Sequence, residues 1–193
     1  MIWFTSDTHF GHSNIIKLAE RPFSDADEME NALVANINSL VAPSDELYHL
    51  GDFSMKLTLE EQARILRRIR CRNIHLIPGN HDKRLNELAQ EGLFTLEKPI
   101  VEFGRDKRRY VLCHFPIADW NGKGGGSFHL HGHIHSQGTA YNEACRARGL
   151  LRYDVGVDAN GYAPVSLEHI LDFFDGIQPS RRMKWRDWIE AIE

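Results

Sequence analysis

The sequence predicts an α/β fold, and three observations lead to that class. Short apolar runs rich in β-branched and aromatic residues, at 1–6, 46–50 and 73–77, alternate with segments of helical period. From about residue 93 onward, short strand-like runs follow one another around polar turns. After Ser166 a helical pattern returns, with apolar positions spaced to cover a sheet.

The first run, Ile2-Trp3-Phe4-Thr5-Ser6, reads as a buried strand, so Asp7 sits where strand gives way to loop. Ser24-x-x-Asp27 is expected to cap a helix carrying Met29, Leu33, Ile37, Leu40 and Val41 on one side. A strand at 46–50 runs into Gly51-Asp52. Thr58-x-x-Glu61 then opens a second helix, with Leu59, Ala63, Leu66 and Ile69 inward, and the strand at 73–77 stops at Pro78-Gly79. This alternation predicts right-handed βαβ units and a parallel sheet. In the second half, runs near 93–103 and 109–113 flank the turn Gly104-Arg105-Asp106-Lys107, and short strands follow near 128–131 and 151–157. They read as antiparallel hairpins. Ser166 caps a helix burying Leu167, Ile170, Leu171 and Phe174, and a last helix with Trp185, Trp188, Ile189 and Ile192 is expected to pack on its own domain.

At 193 residues and 42% hydrophobic content the chain fits one domain, residues 1–193, with 176–193 as a C-terminal helical extension. With a net charge of −4, tight nonspecific nucleic-acid binding through lysine and arginine alone is not expected, and a nucleic-acid substrate, open but not favoured, would need bound metal to supply the positive charge. The expected location is the cytoplasm, since no basic leader or membrane-length apolar run is visible. Cys71, Cys113 and Cys145 are odd in number and far apart, which suits structural thiols rather than a disulfide framework or a cysteine zinc site.

Five segments place metal-competent side chains just beyond predicted strands: Asp7-x-His9, Gly51-Asp52, Gly79-Asn80-His81-Asp82, His114, and Gly132-His133-x-His135. Strand ends are where open α/β sheets bind ligands. Each segment alone is weak, and a lone His114 reads more readily as a core histidine than as a ligand. Together they bring carboxylate, imidazole and carboxamide donors toward one place. A mixed oxygen and nitrogen set suits manganese, iron, zinc, cobalt or nickel, with manganese favoured.

In order and spacing these motifs resemble those of the calcineurin-like metallophosphoesterases, over about residues 1–170. The resemblance implies a four-layer α/β/β/α sandwich with two mixed β-sheets flanked by helices. It implies two divalent metal ions: Asp7, His9 and His135 on one, Asn80, His114 and His133 on the other, and Asp52 bridging them. His81 is left for catalysis, as general acid or as a donor to the phosphoryl oxygens. The chemistry agrees, because two cations about 3.5–4 Å apart activate water and neutralise charge on the attacking and leaving oxygens. A carboxylate between them offsets their repulsion.

Phosphoprotein phosphatases of this superfamily usually continue the Gly-Asp motif with Asp-Arg-Gly and place Glu after Asn-His. Here Phe53-Ser54-Met55 and Asp82 stand instead, which points to phosphodiesters and small phosphate esters. His12 is either a substrate contact or a helix-start residue bonded locally, and Asp82 either caps a helix or orients a neighbour. Phe115 and Trp120 are stacking candidates set against core packing. The loop Asn121-Gly122-Lys123-Gly124-Gly125-Gly126 is a candidate phosphate rim. His49, His75, His129, His131 and His169 are expected to be structural, and Arg64, Arg67, Arg68, Arg70 and Arg72 to form a solvated face. The expected function is hydrolysis of nucleotides or other small phosphate esters by a monomer or homodimer with no membrane partner. A metal-dependent nuclease ranks below it, and a non-catalytic scaffold last.

Overall fold

The computed structural model describes residues 1–180, so the tryptophan-bearing tail at 181–193 lies outside the described residues. The first part of the chain runs through β1 (Ile2–Thr5), α1 (Ser13–Leu18), α2 (Ala26–Leu40), β2 (Glu46–His49), α3 (Leu59–Arg68) and β3 (Asn73–Leu76). After a short α4 (Leu85–Leu88) come β4 (Thr95–Leu96), β5 (Ile100–Arg105), β6 (Arg108–Cys113) and β7 (Phe128–His131). The remainder is α5 (Ala140–Ala147), β8 (Arg152–Asp154), β9 (Val165–Ser166) and α6 (Leu167–Phe173).

Two mixed sheets result, ordered β4-β3-β2-β1-β9 and β5-β6-β7-β8. In the first, β1 to β4 are parallel and β9 returns antiparallel beside β1. In the second, the hairpin expectation holds only for β5 and β6, because β6, β7 and β8 run parallel. The crossover from β7 to β8 is α5, which packs on β8 and escaped the sequence reading because it is short and its apolar positions are mostly alanine. Helix starts follow their local chemistry. Thr58 and Glu61 form the full capping box at α3, and Ser166 caps α6 through the His169 N–H. At α2 the expected Ser24 cap moves one residue: Asp25 accepts from the Glu28 N–H, while the Ser24 N–H and hydroxyl donate to the Glu28 carboxylate.

Alternation along the strands divides the core. Trp3, Leu47, Ile74 and Leu76 face α2 and α3 in one apolar cluster. Ile2, Phe4 and Tyr48 face Tyr110, Leu112, Phe128, Leu130 and Tyr153 of the second sheet in another. The layers are therefore helix, sheet, sheet and helix, with α5 outside the second sheet. That outer face also carries His129 and His131, both fully buried, ring against ring at 5.3 Å. The His129 Nδ1 meets the Val111 carbonyl. His49 is likewise structural, paired with the Thr8 hydroxyl, and His75 with Glu97. Cys71, Cys113 and Cys145 are buried free thiols. Arg64 and Arg68 pair with Glu30 and Arg67 with Glu91, as expected of a solvated face.

Glycines set how closely the strand ends approach. Gly51, at φ +98°, packs on the Gly79 backbone, and a Cβ on Gly79 would lie 2.3 Å from the Asp52 nitrogen. Backbone cannot yield there as a side chain can. Gly79→Ala should therefore lower stability by about 1–3 kcal/mol, read as a fall in the urea midpoint.

Burial also draws the His129 imidazole down to about 4 from 6.5, so it is neutral when folded. The unfolded chain takes up its proton below 6.5, and the stability that the neutral form contributes is lost as pH falls from 6.5 toward 4. Between pH 7 and 5, His129→Gln should lose less stability than wild type by about 1–2 kcal/mol in urea titrations.

Candidate metal centre

Every one of the five motif segments lies past the C-terminal end of a strand: Asp7 and His9 after β1, Asp52 after β2, Asn80 and His81 after β3, His114 after β6, His133 and His135 after β7. The parallel order β1-β2-β3 and β6-β7 puts those ends on one edge. Turning the side chains inward takes unusual backbone. Asp7, His9, Asp52, His133 and His135 all have φ between 48° and 74°, in the left-handed region that costs a non-glycine residue about 1–3 kcal/mol. Gly132 permits the approach of the last motif, since a Cβ there would lie 2.2 Å from the Asp7 Oδ2.

The side chains form two groups, each able to hold an ion: Asp7, His9 and His135, and Asp52, His114 and His133. Within each, the donor atoms lie within 4.8 Å of one another. Asp52 faces both groups, its Oδ2 standing 3.4 Å from the His9 Nε2 and 3.5 Å from the His114 Nε2. Its other oxygen accepts the His81 backbone N–H at 2.8 Å. His114 meets the Leu50 carbonyl through Nδ1, and its Nε2 lies 2.9 Å from the Asn80 Oδ1 and 3.5 Å from the Asp52 Oδ2. Donor atoms gathered this closely suit a shared cation, whose binding would displace the Nε2 proton.

Electrostatics point the same way. Burial pushes the Asp7 carboxyl up to about 7 and draws His9 down to about 3. Burial opposes the Asp52 charge too, but hydrogen bonds from His114 and the His81 N–H outweigh it and hold Asp52 at about 2. The Asp7 Oδ1 and both ring nitrogens of His9 are buried without a hydrogen-bond partner. Orphaned acceptors of this kind are costly in a protein interior, and a divalent cation takes carboxylate and neutral imidazole as ligands. The residues present fit metal ions.

Two residues outside the motifs hold the group in place. Arg21 is buried and clamps Asp158 with Nε at 2.8 Å and Nη2 at 2.9 Å, while Nη2 and Nη1 donate to the Asp7 and Thr8 carbonyls. Asp158 then accepts from the His135 Nδ1 at 2.7 Å, which turns Nε2 toward Asp7. Sequence reasoning missed both. Arg21 ends a polar turn, Asp158 follows a short strand, and 137 positions separate them.

The lower-ranked candidates divide. Asp82 does not cap α4, whose N-cap is Arg84; its carboxylate accepts from the Gly79, Asp52 and Phe53 N–H groups and so ties β2's end to β3's. His12 begins α1 without capping it, its ring 5.4 Å from that of His9 and its Nδ1 buried and unpartnered. Phe115 is 43% exposed and lies against His133, with ring centroids 4.6 Å apart. Trp120 instead packs inside, donating to the Ser127 carbonyl. The glycine loop departs from its expected role: its N–H groups at 125, 126 and 127 bond within the loop, and Lys123 folds back on the Ala118 carbonyl and the Trp120 ring. His81 lies at the mouth, its ring 5.4 Å from that of His9.

Known proteins match this arrangement. The calcineurin-like phosphoesterase family model matches residues 1–162. An uncharacterized protein of Methanocaldococcus jannaschii is 32% identical over 174 residues, covering 90% of this chain and 91% of its own. The Gene 66 protein of Mycobacterium phage L5 is 27% identical over 202 residues, covering 91% and 94%. The crystal structure of a protein of unknown function from Aquifex aeolicus superposes with a TM-score of 0.72 at 28% identity, over 89% of this chain and 98% of that one. With two candidate metal-binding groups at the strand ends and the family match across most of its length, this chain belongs to the calcineurin-like phosphoesterases, metal-dependent hydrolases of phosphate esters.

Proposed function

We propose that this protein is a dinuclear metal-dependent phosphoesterase that hydrolyses nucleotides or other small phosphate esters, with manganese as the favoured ion. The observation that carries the reading is the position of Asp52, one carboxylate oxygen almost equidistant from histidines of both donor groups. In this reading Asp7, His9 and His135 hold one ion, Asn80, His114 and His133 the other, and Asp52 both. Bound divalent ions supply Lewis acidity, activating water and offsetting the phosphoryl charge.

The chain's own groups do the rest. His81 is tied by its backbone to Asp52 while its ring stands at the mouth, where it donates a proton to the leaving oxygen as the P–O bond breaks. Arg21 and Asp158 keep His135 in the tautomer that presents Nε2. Phe115, exposed beside His133, offers a face for a base or aryl group, and His12 lines the opposite flank beside His9.

Three measurements test this. Protein stripped of metal should be inactive on bis(p-nitrophenyl) phosphate and regain turnover with manganese. His81→Ala should lower kcat by about 10²–10⁴ at unchanged ion content, and wild-type kcat in that variant would remove the role given to His81. Asp158→Asn should weaken one of the two ions by about 10–100-fold and spare the other, read by metal content after dialysis. Loss of neither ion would detach Asp158 from the site.

A further inference from the structure

Beside the metal centre lies a groove whose inner end is His81 and whose walls are the two segments that follow Asp52 and Asn80. Met55, Leu57 and Leu59 give it an apolar side, while Lys56 and Lys83 stand exposed at its rim. Neither lysine has a carboxylate partner among the described residues. Arg84, by contrast, is neutralised by a two-pronged pair with Glu87.

Both walls are held firmly. Residues 53–55 are strapped to Phe10 by hydrogen bonds from the Phe10 N–H to the Phe53 carbonyl and from the Met55 N–H to the Phe10 carbonyl. The capping box at Thr58 fixes the far end of that wall. A Cβ on Gly11 would lie 2.4 Å from the Leu57 side chain, so the His9 loop presses directly on the groove. On the other wall Asp82 anchors the turn that leads to Lys83. Lys56 itself has φ 66°, a strained backbone that an exposed lysine in a plain loop does not need. Its charge is felt at His12, whose pKa is lowered first by burial and then by Lys56.

We propose that this groove is a second-phosphate subsite: Lys56 and Lys83 bind a phosphate adjoining the scissile one, and Met55, Leu57 and Leu59 receive the sugar or base between them. The proposal deepens the phosphoesterase reading and rests on it for the position of the scissile phosphate. It narrows the substrate class to nucleotides with at least two phosphates, either a nucleoside bisphosphate or the end of a strand. A net charge of −4 makes this local pair of cations the more telling, because the charge of the chain as a whole does not draw anionic substrates in. Lysine is suited to the role, as a compact charge on a long flexible stem that reaches phosphate without fixed geometry.

The test is equilibrium binding to the manganese-loaded full chain by calorimetry, with thymidine 5′-monophosphate, thymidine 3′,5′-bisphosphate and 5′-phosphorylated dithymidylate as probes. Wild type should bind one or both two-phosphate ligands about tenfold or more tightly than the monophosphate. In the Lys56→Gln/Lys83→Gln double variant that preference should shrink to within about twofold, whereas Lys107→Gln, at a distant exposed turn, should keep it. Preference for the bisphosphate alone marks a nucleoside bisphosphate site; preference for the dinucleotide alone marks a strand end. Equal binding of all three by wild type, or a preference that survives the double variant, overturns the subsite. The readout is a ratio of affinities, so a protein that shows the preference yet hydrolyses nothing would cost the catalytic reading and leave the groove's role intact.

Discussion

Two carboxylates, Asp7 and Asp52, are almost wholly removed from water at the ends of adjacent parallel strands, and much of the surrounding structure answers the cost of keeping them there. Asp52 accepts the His81 N–H and has the His114 and His9 imidazoles within 3.5 Å on either side. Asp7 has one oxygen on the His133 N–H and the other without a partner. The balance is thus met at Asp52 and left open at Asp7, beside a histidine whose two nitrogens are equally unsatisfied. Strain accompanies the charge: five of the residues that line the centre are bent into left-handed backbone to face it.

Much of this was legible from residue order because each strand is a local apolar run and each donor follows directly after one. Asp7, Asp52, Asn80, His114, His133 and His135 could be placed at strand ends before any contact was known. The parallel order of the first sheet followed from helices of clear period between its strands. The second sheet was less legible, since its hairpin is local but the β6-β7-β8 pairing joins segments linked by an irregular loop and by α5, a short helix without large aliphatic side chains. The clamp of Arg21 on Asp158 was invisible for a related reason: pairing across 137 positions leaves no mark on spacing. The glycine loop has a composition that suits a phosphate rim, but the Gly125 and Gly126 amides bond within the loop and Lys123 turns back on the Ala118 carbonyl.

Burial of charge and close approach of backbone are two sides of one arrangement. Gly51 and Gly79 let β2 and β3 end in contact, and Gly132 lets the second sheet's loop reach Asp7. Asp82 then ties the Asp52 and Gly79 amides together from below. Rigidity of this kind holds donors in place ahead of any ligand, which is what charge stabilisation in a dry site requires. The groove past His81 is built on the same two segments, so its lysines inherit their positions from the centre.

The return of β9 to the edge of β1 has a consequence for synthesis. Residues 165–166 complete the first sheet only after the whole second sheet has been made, and the Ser6 to Gly156 bridge joins the two sheets near the centre. Emerging amino end first from the ribosome, the chain carries Asp7 and His9 long before His133 and His135 exist to meet them. The donor set therefore closes late, when nearly the entire domain is outside the tunnel. A nascent chain can offer a passing ion only fragments of the set, and selection of the ion becomes a property of the finished fold.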